Sequence, residues 1–143
     1  MSKNEELAEI ISLHREWLQS GNKSGRRADL SGASLDNASL TGINLSGAIF
    51  RGASLQNADL RGATLIHANF SDANLSGARL EKANLQLVDF TGADLHTAVL
   101  SDTAQPSEQQ QGSIKRGPRF TDANLENADL TGCHCFASDF SGA

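Results

Sequence analysis

Residues 48–72 read AIFRG-ASLQN-ADLRG-ATLIH-ANFSD, which is five consecutive units of five residues with one shared pattern. Each unit begins with Ala, places Leu or Phe at its centre, and ends in a residue such as Gly, Asn or Asp. The position between the Ala and the centre is polar in four of the five units, which indicates strand-like alternation over one short edge. Gly, Asn and Asp tolerate the dihedral angles of turns. Each unit therefore predicts a short extended edge followed by a corner.

The same register extends in both directions from this stretch. Residues 28–102 form fifteen units without a slip, and every central residue is Leu or Phe. A second block covers the last 26 residues, with the centres Phe120, Leu125, Leu130, Cys135 and Phe140. An edge of five residues cannot bury its own apolar pair. The units must therefore stack in layers about 4.8 Å apart, around a column of Leu and Phe lined by Ala.

The pattern resembles the pentapeptide-repeat family, whose motif is Ala, then Asp or Asn, then Leu, followed by two variable residues. Residues 58–60 (Ala-Asp-Leu) and 123–125 (Ala-Asn-Leu) match this motif directly, and the resemblance covers about 100 of the 143 residues. The departures are Ile43, Val88, Pro118, Cys133, Cys135 and Ser138. The resemblance implies an all-β solenoid, a right-handed quadrilateral β-helix with four units per turn.

The spacing of Phe supports a period of four units. Phe50, Phe70 and Phe90 are each 20 residues apart, which places them on one face of successive coils and predicts a column of stacked rings. The repeat is broken between the two blocks, and we expect a loop there. If this loop hides one degenerate unit near Gln105, Phe120 joins the same column and the β-helix has about five coils.

The first 27 residues lie outside the repeat and predict an amphipathic helix. The residues at helical spacing are Leu7, Ile10, Ile11, His14, Trp17 and Leu18. Ser2 and Glu5 are spaced as a capping box, and Gly21 is suited to end the helix. We expect a structural cap on the open end of the solenoid, because such architectures need one. A partner-binding or membrane-surface helix is the alternative.

The resulting division is a capping helix and linker at 1–27, followed by a β-helix at 28–143 that a loop at 101–119 interrupts. The length of 143 residues is typical of one domain. The formal net charge is −5, and the first 27 residues carry five basic and four acidic side chains, so the acidity belongs to the repeats. We therefore expect no direct binding of nucleic acid.

The location of the protein is predicted from what the sequence lacks. It has no apolar run of signal-peptide length at the N-terminus and no stretch near the ~20 apolar residues of a membrane span. Two closely spaced cysteines are too few for a disulfide framework. We expect a cytoplasmic protein without membrane association.

The sequence predicts neither an enzyme nor a metal or cofactor site. Catalysis needs groups with shifted pKa values in a concave pocket, and a convex rod with a filled core supplies no such pocket. His67 and His96 lie on different units without ligand spacing. In Cys133-His134-Cys135, alternation directs both thiols into the core and the imidazole outward, so we expect core thiols rather than metal ligands.

Partner binding is the function that remains, and the outward apolar residues indicate where. If the four faces of each coil are counted from Leu30, then Ile49, Ile66 and Leu87 fall near the corner between the fourth and first faces, beside the loop. The candidate partner-binding residues are Ile49, Ile66, Leu87, Ile114, Lys115, Arg116 and Arg119. Phe136 would extend this edge, whereas Val99 lies elsewhere. Either Ile114 covers the patch, or the patch and the basic residues dock a partner.

Two functions of different class remain open. The first is a non-enzymatic protein–protein interaction module, a scaffold or adaptor whose partner is unknown. The second follows from the family resemblance: an acidic DNA mimic that binds a type II topoisomerase such as DNA gyrase, as the quinolone-resistance pentapeptide proteins do. The resemblance to those proteins is weak, because they are longer rods with a C-terminal helix. This sequence has only Ser141, Gly142 and Ala143 after Phe140. The last coil exposes strand edges, so we expect either an end-to-end homodimer through this coil or a continuation of the chain in a longer parent protein.

Overall fold

The computed structural model describes residues 2–104 and 116–143. Two of the predicted partner-binding residues, Ile114 and Lys115, lie outside the described residues. In the described part of the chain there is one helix, α1, which spans Lys3–Gln19. The rest of the described chain forms edges too short to make continuous strands, and these edges are joined by isolated parallel β-bridges.

The start and the end of α1 agree with the sequence prediction. The Ser2 hydroxyl oxygen accepts a hydrogen bond from the Glu5 N–H at 3.2 Å, as an N-cap does. Gly21, with φ of +65°, follows the C-cap residue Ser20. Among the described residues, no helix has the length and apolar character needed to cross a membrane.

The chain returns along α1 through a turn that requires glycine. Gly25 has φ of +75°, and a Cβ atom there would collide with the Leu13 carbonyl oxygen and with the Trp17 backbone nitrogen. The next residue, Arg26, donates its N–H to the same Leu13 carbonyl at 3.0 Å. This close backbone contact directs the chain from the helix into the first coil.

Each coil is joined to the next by a regular hydrogen-bond ladder. The bridges pair the outward residue of one edge with the outward residue 20 positions later, beginning with Asp29↔Ile49 and Ser34↔Ser54. The N–H groups of the central residues donate to the following layer, as Leu30 does to the Ile49 carbonyl at 2.7 Å. Because each unit has five residues, a period of 20 gives four edges per layer, and we number the faces from residue 28.

The corners have the geometry of type II turns. Ala33 donates its N–H to the Leu30 carbonyl at 3.1 Å, and Gly32 at the third position of this turn has φ of +66°. The requirement for positive φ explains the Gly and Asn residues at the fifth position of the units. His67, Lys82, Leu87 and Thr97 are exceptions, since they adopt φ between 57° and 61° with bulky side chains. Their backbones are therefore strained.

The core is the predicted column of Leu and Phe. The central residues from Leu40 to Leu100 are at most 2% exposed, and the Ala residues two positions before them line the same interior. Phe50 and Phe70 stack with ring centroids 4.5 Å apart, and the column continues through Phe90. Phe120 follows at 5.4 Å from Phe90, and Phe140 at 5.0 Å from Phe120. The predicted stacking is confirmed, including the placement of the last two rings in the same column.

The insertion is confined to the fourth face. Bridged residues are 20 apart up to Arg79↔Val99 and 30 apart from Asp89↔Arg119 onward, so one layer holds ten extra residues. Residues 101–104 and 116–119, which the sequence analysis assigned to the loop, continue the ladder. Ala104 donates its N–H to the Ala83 carbonyl at 2.9 Å. The extra residues therefore lie between Ala104 and Arg116.

The helix α1 packs over the first coil. Leu7, Ile10 and Ile11 are partly buried against the core cluster. The adjacent centres Leu30 and Leu35 are only 4% and 7% exposed, although no coil precedes them. This packing is the arrangement expected of a capping helix.

Candidate interaction edge beside the insertion

The predicted apolar residues do not all converge on one place. Ile66 is half-buried on the fourth face, and Ile49 is half-buried on the first face, bridged to Asp29 and to Asn69. Neither lines the clefts beside the insertion. Leu87, by contrast, is 36% exposed, and its N–H donates to the Arg116 carbonyl at 3.1 Å. The structure thus brings Leu87 and Arg116 together and leaves Ile49 and Ile66 outside.

We define the insertion edge by Leu87, Arg116, Gly117 and Phe136. These residues are linked layer to layer, because Leu87 bonds to Arg116 and the Gly117 N–H donates to the Phe136 carbonyl at 2.7 Å. Phe136 is 76% exposed, the most exposed large apolar side chain in the described chain. The predicted extension of the edge to Phe136 agrees with this register.

Two clefts flank the insertion edge and share Arg116 and Gly117. The first, of about 280 Å³, is mainly apolar and lies on the fourth face. Its described lining includes Leu85, Thr103, Ala104, Arg116, His134 and Phe136. The second, of about 310 Å³, lies at the corner to the first face. It is more polar, and its described lining includes Leu87, Asp89, Arg116, Arg119 and Asp139.

The charges of the corner cleft are mixed. The backbone of Arg119 forms a β-bridge with that of Asp89 in the layer before it, and the Arg119 N–H donates to the Val88 carbonyl. This places an acidic and a basic side chain side by side. Hydrogen bonding by Ser141 lowers the pKa of Asp139, and the nearby Arg119 charge lowers it further. Arg116 forms no ion pair with any residue in the described ranges. Its guanidinium is therefore the cation at this edge that can meet an anionic group on a partner.

The outward Asp and Asn side chains cap the turns, a role that was not predicted from the sequence. The Asp29 carboxylate accepts the N–H of Ser31, two residues later, at 3.0 Å. The same bond recurs around the solenoid at Asn44, Asp59, Asn69, Asn74, Asn84, Asp89, Asp94, Asn124, Asp129 and Asp139. These side chains cap the N–H groups that the turns leave without a backbone acceptor.

These capping bonds lower the pKa of several carboxyl groups. Hydrogen bonding by Ser31 lowers the pKa of Asp29, and hydrogen bonding by Thr131 lowers that of Asp129. At Asp59 the main cause is the Arg61 side chain, whose guanidinium lies 2.5 Å from the carboxylate. Burial acts to raise the pKa of Asp94, but hydrogen bonding by His96 lowers it overall. Six of the outward carboxylates thus act as turn caps.

The cysteines differ from the prediction of two free core thiols. Cys133 and Cys135 form a disulfide with their Cα atoms 5.4 Å apart. The Cys135 N–H donates to the Cys133 carbonyl at 3.0 Å, so the segment turns on itself instead of staying extended. This turn brings the two Cβ atoms within bonding range. Alternation along an extended edge was the wrong premise for these three residues.

The histidines are not arranged as metal ligands. His96 Nδ1 lies 2.7 Å from the Asp94 carboxylate, and His134 is exposed. In the parts of the chain that the structure describes, no group of three or more His, Cys, Asp or Glu side chains is placed to hold a metal ion.

Thr103 and His134, which line the fourth-face cleft, are not among the binding residues predicted from the sequence. Thr103 is 3% exposed, and its hydroxyl oxygen accepts the His134 N–H at 2.7 Å. A signal was present, because both residues fall on the fourth face once the hidden unit is counted. Their pairing across 31 positions depends on the length of the insertion.

The comparisons with known proteins agree with this architecture. The family model of pentapeptide repeats matches residues 28–65, 65–102 and 119–143. A pentapeptide repeat protein from the Arabidopsis thaliana thylakoid lumen is 33% identical, with a TM-score of 0.54, over 70% of this chain and 66% of that chain. Rfr23 from the cyanobacterium Cyanothece 51142 is 29% identical, with a TM-score of 0.56, over 76% of this chain and 64% of that chain.

HetL, a pentapeptide repeat protein involved in heterocyst differentiation regulation in Nostoc sp. strain PCC 7120, is 28% identical with a TM-score of 0.54. The match covers 82% of this chain and 60% of HetL. This chain therefore spans about two thirds or less of the length of these structures. No curated protein matches it. The fold is the β-helix of these relatives, no catalytic family is indicated, and the chain belongs to the pentapeptide-repeat family.

Proposed function

We propose that the chain is a non-enzymatic protein–protein interaction module that docks its partner along the insertion edge. One observation carries this proposal. The large apolar side chains exposed in the described chain are Leu87, Phe136 and Phe140, and two of these three belong to the insertion edge. Scattered apolar residues need no explanation, but two on one edge beside an apolar cleft are typical of a binding surface.

The backbone of Leu87 supports the same proposal. Its φ of 57° is a conformation that most corners of this solenoid assign to Gly, Asn or Asp. A leucine there costs about 1–2 kcal/mol in backbone strain, and 36% of its surface stays exposed. Strain of this kind persists where another interaction favours it, and docking of a partner is such an interaction.

The chemistry of the edge defines the partner that it fits. Leu87 and Phe136 offer apolar contact, and Arg116, which lines both clefts, offers a guanidinium that forms no ion pair with the described residues. A partner segment with a large apolar side chain next to a carboxylate would match both features, with the apolar contact central and the charges at the rim. We therefore propose an acidic, amphipathic protein segment as the ligand.

A displayed library of random peptides, selected on the intact protein, tests this function. We expect the selected peptides to combine apolar residues with Asp or Glu. Leu87→Asn and Phe136→Ser should each weaken their binding at least about fivefold, since truncation of a central contact costs over 1 kcal/mol. Thr97→Asn is the matched control, because it makes the same backbone change at φ of 58° on another corner.

Two results would contradict the proposal. Selection of basic peptides would contradict the assigned chemistry, and undiminished binding by both edge variants would place the binding surface elsewhere. The alternative in which Ile114 covers the patch predicts a third pattern. In that case, replacement of residues 105–115 would strengthen peptide binding.

The acidic DNA mimic stays a prediction. A structure of QnrB1, a plasmid-mediated fluoroquinolone resistance protein, is 24% identical with a TM-score of 0.41, and this likeness carries no argument for the mimic. Several of the outward Asp residues also cap turns, so their presence has a structural reason besides mimicry. A gyrase supercoiling assay with and without a quinolone tests this alternative, and absence of both inhibition and protection would reject it. The end-to-end homodimer also stays a prediction.

A further inference from the structure

We propose that Cys133 and Cys135 form a reversible redox site, at which reduction of the disulfide returns residues 133–137 to the edge conformation of the repeat. This inference does not depend on the proposed function. It rests on what the disulfide gives to the fold, on what it removes from the ladder, and on the sequence pattern of the segment.

The disulfide contributes little as a structural link. A cross-link stabilises a protein mainly by constraining the unfolded chain, and this effect grows with the length of the closed loop. The two cysteines are separated by two positions, so the bond closes a very short ring. The coil is already joined to its neighbour through the Gly117–Phe136 hydrogen bond. A role in stability therefore does not account for the cross-link.

The oxidised turn replaces a ladder bond. In the equivalent layers, the outward residue donates its N–H to a backbone carbonyl, as Asn124 does to Ala93 and Asp129 does to Ala98, both at 2.9 Å. The equivalent donor here is His134, and the equivalent acceptor would be the Thr103 carbonyl. Instead, His134 donates to the Thr103 hydroxyl at 2.7 Å.

The sequence of the segment still fits an edge. Cys133 occupies the position of the small residue, and Cys135 the position of the central apolar residue. A reduced cysteine behaves as a small apolar side chain and suits both positions. The segment thus has two competing arrangements, a turn held by the disulfide and an extended edge held by the ladder.

The redox step needs a dithiol reductant, which supplies two electrons and two protons. One of its sulfurs attacks as the thiolate, breaks the Cys133–Cys135 bond and forms a mixed disulfide, and the released cysteine thiolate takes a proton. The second sulfur of the reductant then displaces the other cysteine, which is protonated in turn. The products are two free thiols in the protein and a disulfide in the reductant. Both cysteines are only half-buried, so a small dithiol can reach them.

The site is placed to change the fourth-face cleft. His134 lies between the two cysteines, Phe136 follows them, and both line that cleft. Return of the segment to the ladder would move both side chains. If the proposed docking function holds, partner binding then depends on the redox state, but the redox site can be tested without any partner.

The experiment measures the thiol–disulfide equilibrium of the intact protein against dithiothreitol, by alkylation and mass spectrometry. Only the oxidised form uses the Thr103 hydroxyl as acceptor for His134. Thr103→Val should therefore shift the equilibrium toward the dithiol by roughly three- to tenfold, the effect of one hydrogen bond. Thr64→Val, on the same face two layers away, should leave it unchanged.

A second variant supplies the conformational control. Cys133→Ala with Cys135→Leu restores the repeat motif and should form the edge permanently. Backbone NMR shifts of residues 133–137 should match between this variant and reduced wild type, apart from the substituted residues, and should differ from the oxidised protein. Failure of the disulfide to form under a glutathione redox buffer, an equilibrium unaffected by Thr103→Val, or shifts that do not change on reduction would each overturn the proposal.

Discussion

The fifth residue of each unit lies in the left-handed region of backbone space, so its side chain sets the strain of the corner. Gly32 and Asn37 adopt φ of 66° and 60° at little cost. Leu87 and Thr97 adopt the same conformation with greater strain. Single residues at this position can therefore be exchanged to change stability without moving the coils.

Leu87→Asn should stabilise the fold by about 0.5–1 kcal/mol, because Asn tolerates positive φ better than Leu. Thr97→Asn should have a similar effect. Chemical denaturation at neutral pH measures both changes. Combined with the peptide-binding assay, Leu87→Asn separates the two roles of this residue, since it should raise stability while it weakens binding. A loss of stability would show that Leu87 is held mainly by packing within the chain.

His14 is a buried ionisable residue under α1. It is 0% exposed, and its Nδ1 accepts the Ala28 N–H at 3.0 Å. Burial lowers the pKa of His14, a contact with the Ser46 backbone acts to raise it, and the charge of Arg27 lowers it further. Protonation of Nδ1 would remove the acceptor that fixes Ala28. The neutral imidazole is therefore part of the contact between helix and coil.

This burial predicts a loss of stability on mild acidification. The folded pKa lies below the ordinary value of about 6.5, so the stabilising effect is complete above that pH and decreases as pH falls toward the folded pKa. Thermal melts between pH 7 and 5 should show this decrease. His14→Asn, which keeps an acceptor oxygen but does not titrate, should remove the pH dependence. The same slope in both proteins would assign it to another group.

At the scale of elements, two features connect the structure. One is the segment that leads from α1 into the first coil, and the other is the set of capped turns between edges. Gly21 and Gly25 both have positive φ, but only Gly25 lies against the helix backbone. The corners between edges depend on outward Asp and Asn side chains, whose oxygen atoms accept the N–H group two residues later. Both features act through the backbone, and each predicts a specific substitution effect.

Gly25→Ala should destabilise the protein more than Gly21→Ala. Both substitutions carry the cost of about 1–2 kcal/mol for a side chain at positive φ. At Gly25 the new Cβ also collides with the Leu13 carbonyl and the Trp17 nitrogen, which adds about 1–3 kcal/mol. No heavy atom lies within 4 Å of a Cβ built on Gly21. Denaturant unfolding of the two variants measures the difference, and equal costs would mean that α1 shifts freely.

The capped turns predict a second, more acidic transition. The folded pKa values of Asp129 and Asp139 are lowered, so their stabilising effect is complete above the ordinary value of about 3.9 and decreases as pH falls through the folded pKa. Asn performs the same capping at Asn69 and Asn74. Asp129→Asn with Asp139→Asn should therefore preserve the fold and reduce the loss of stability in melts between pH 5 and 2. An unchanged acid transition would contradict this assignment.

At the scale of the whole molecule, the rod is a stack of equivalent layers in which one layer carries the insertion. Ladder bonds are present on both sides of the insertion, from Ala104 to Ala83 and from Leu87 to Arg116, so the insertion interrupts one unit only. Residues 103–104 and 116–117 supply four of the five positions of that unit, in the order Thr-Ala and Arg-Gly. A single residue between them would complete the repeat.

Replacement of residues 105–115 by one Leu should therefore give an uninterrupted rod with the unit Thr-Ala-Leu-Arg-Gly. Closing a long loop costs entropy, and the added Leu buries a side chain worth about 1.5–3 kcal/mol, so the variant should melt at a higher temperature. Calorimetry measures the shift, and replacement by one Ser is the control for the buried Leu. A lower melting temperature would show that the insertion stabilises the coil.

The candidate site could be predicted only in part. The sequence indicated Leu87, Arg116 and Arg119 because outward apolar and basic residues interrupt a regular polar pattern. It also indicated Ile49 and Ile66 on the same grounds, and the structure places these two away from the clefts. Position along a five-residue repeat fixes the face of a side chain, but it does not fix which neighbours a cleft brings together.

The repeat pattern by itself determined the layered β-helix, the Leu and Phe core and the column of rings. This was possible because every unit meets equivalent units 20 positions away, so local sequence carries the information for the whole stack. The tertiary structure alone decided the contact of His14 with Ala28 and the turn that joins Cys133 to Cys135. These contacts occur where the repeat ends or is interrupted, and there the partner of a residue depends on how distant segments are placed by packing rather than on a period.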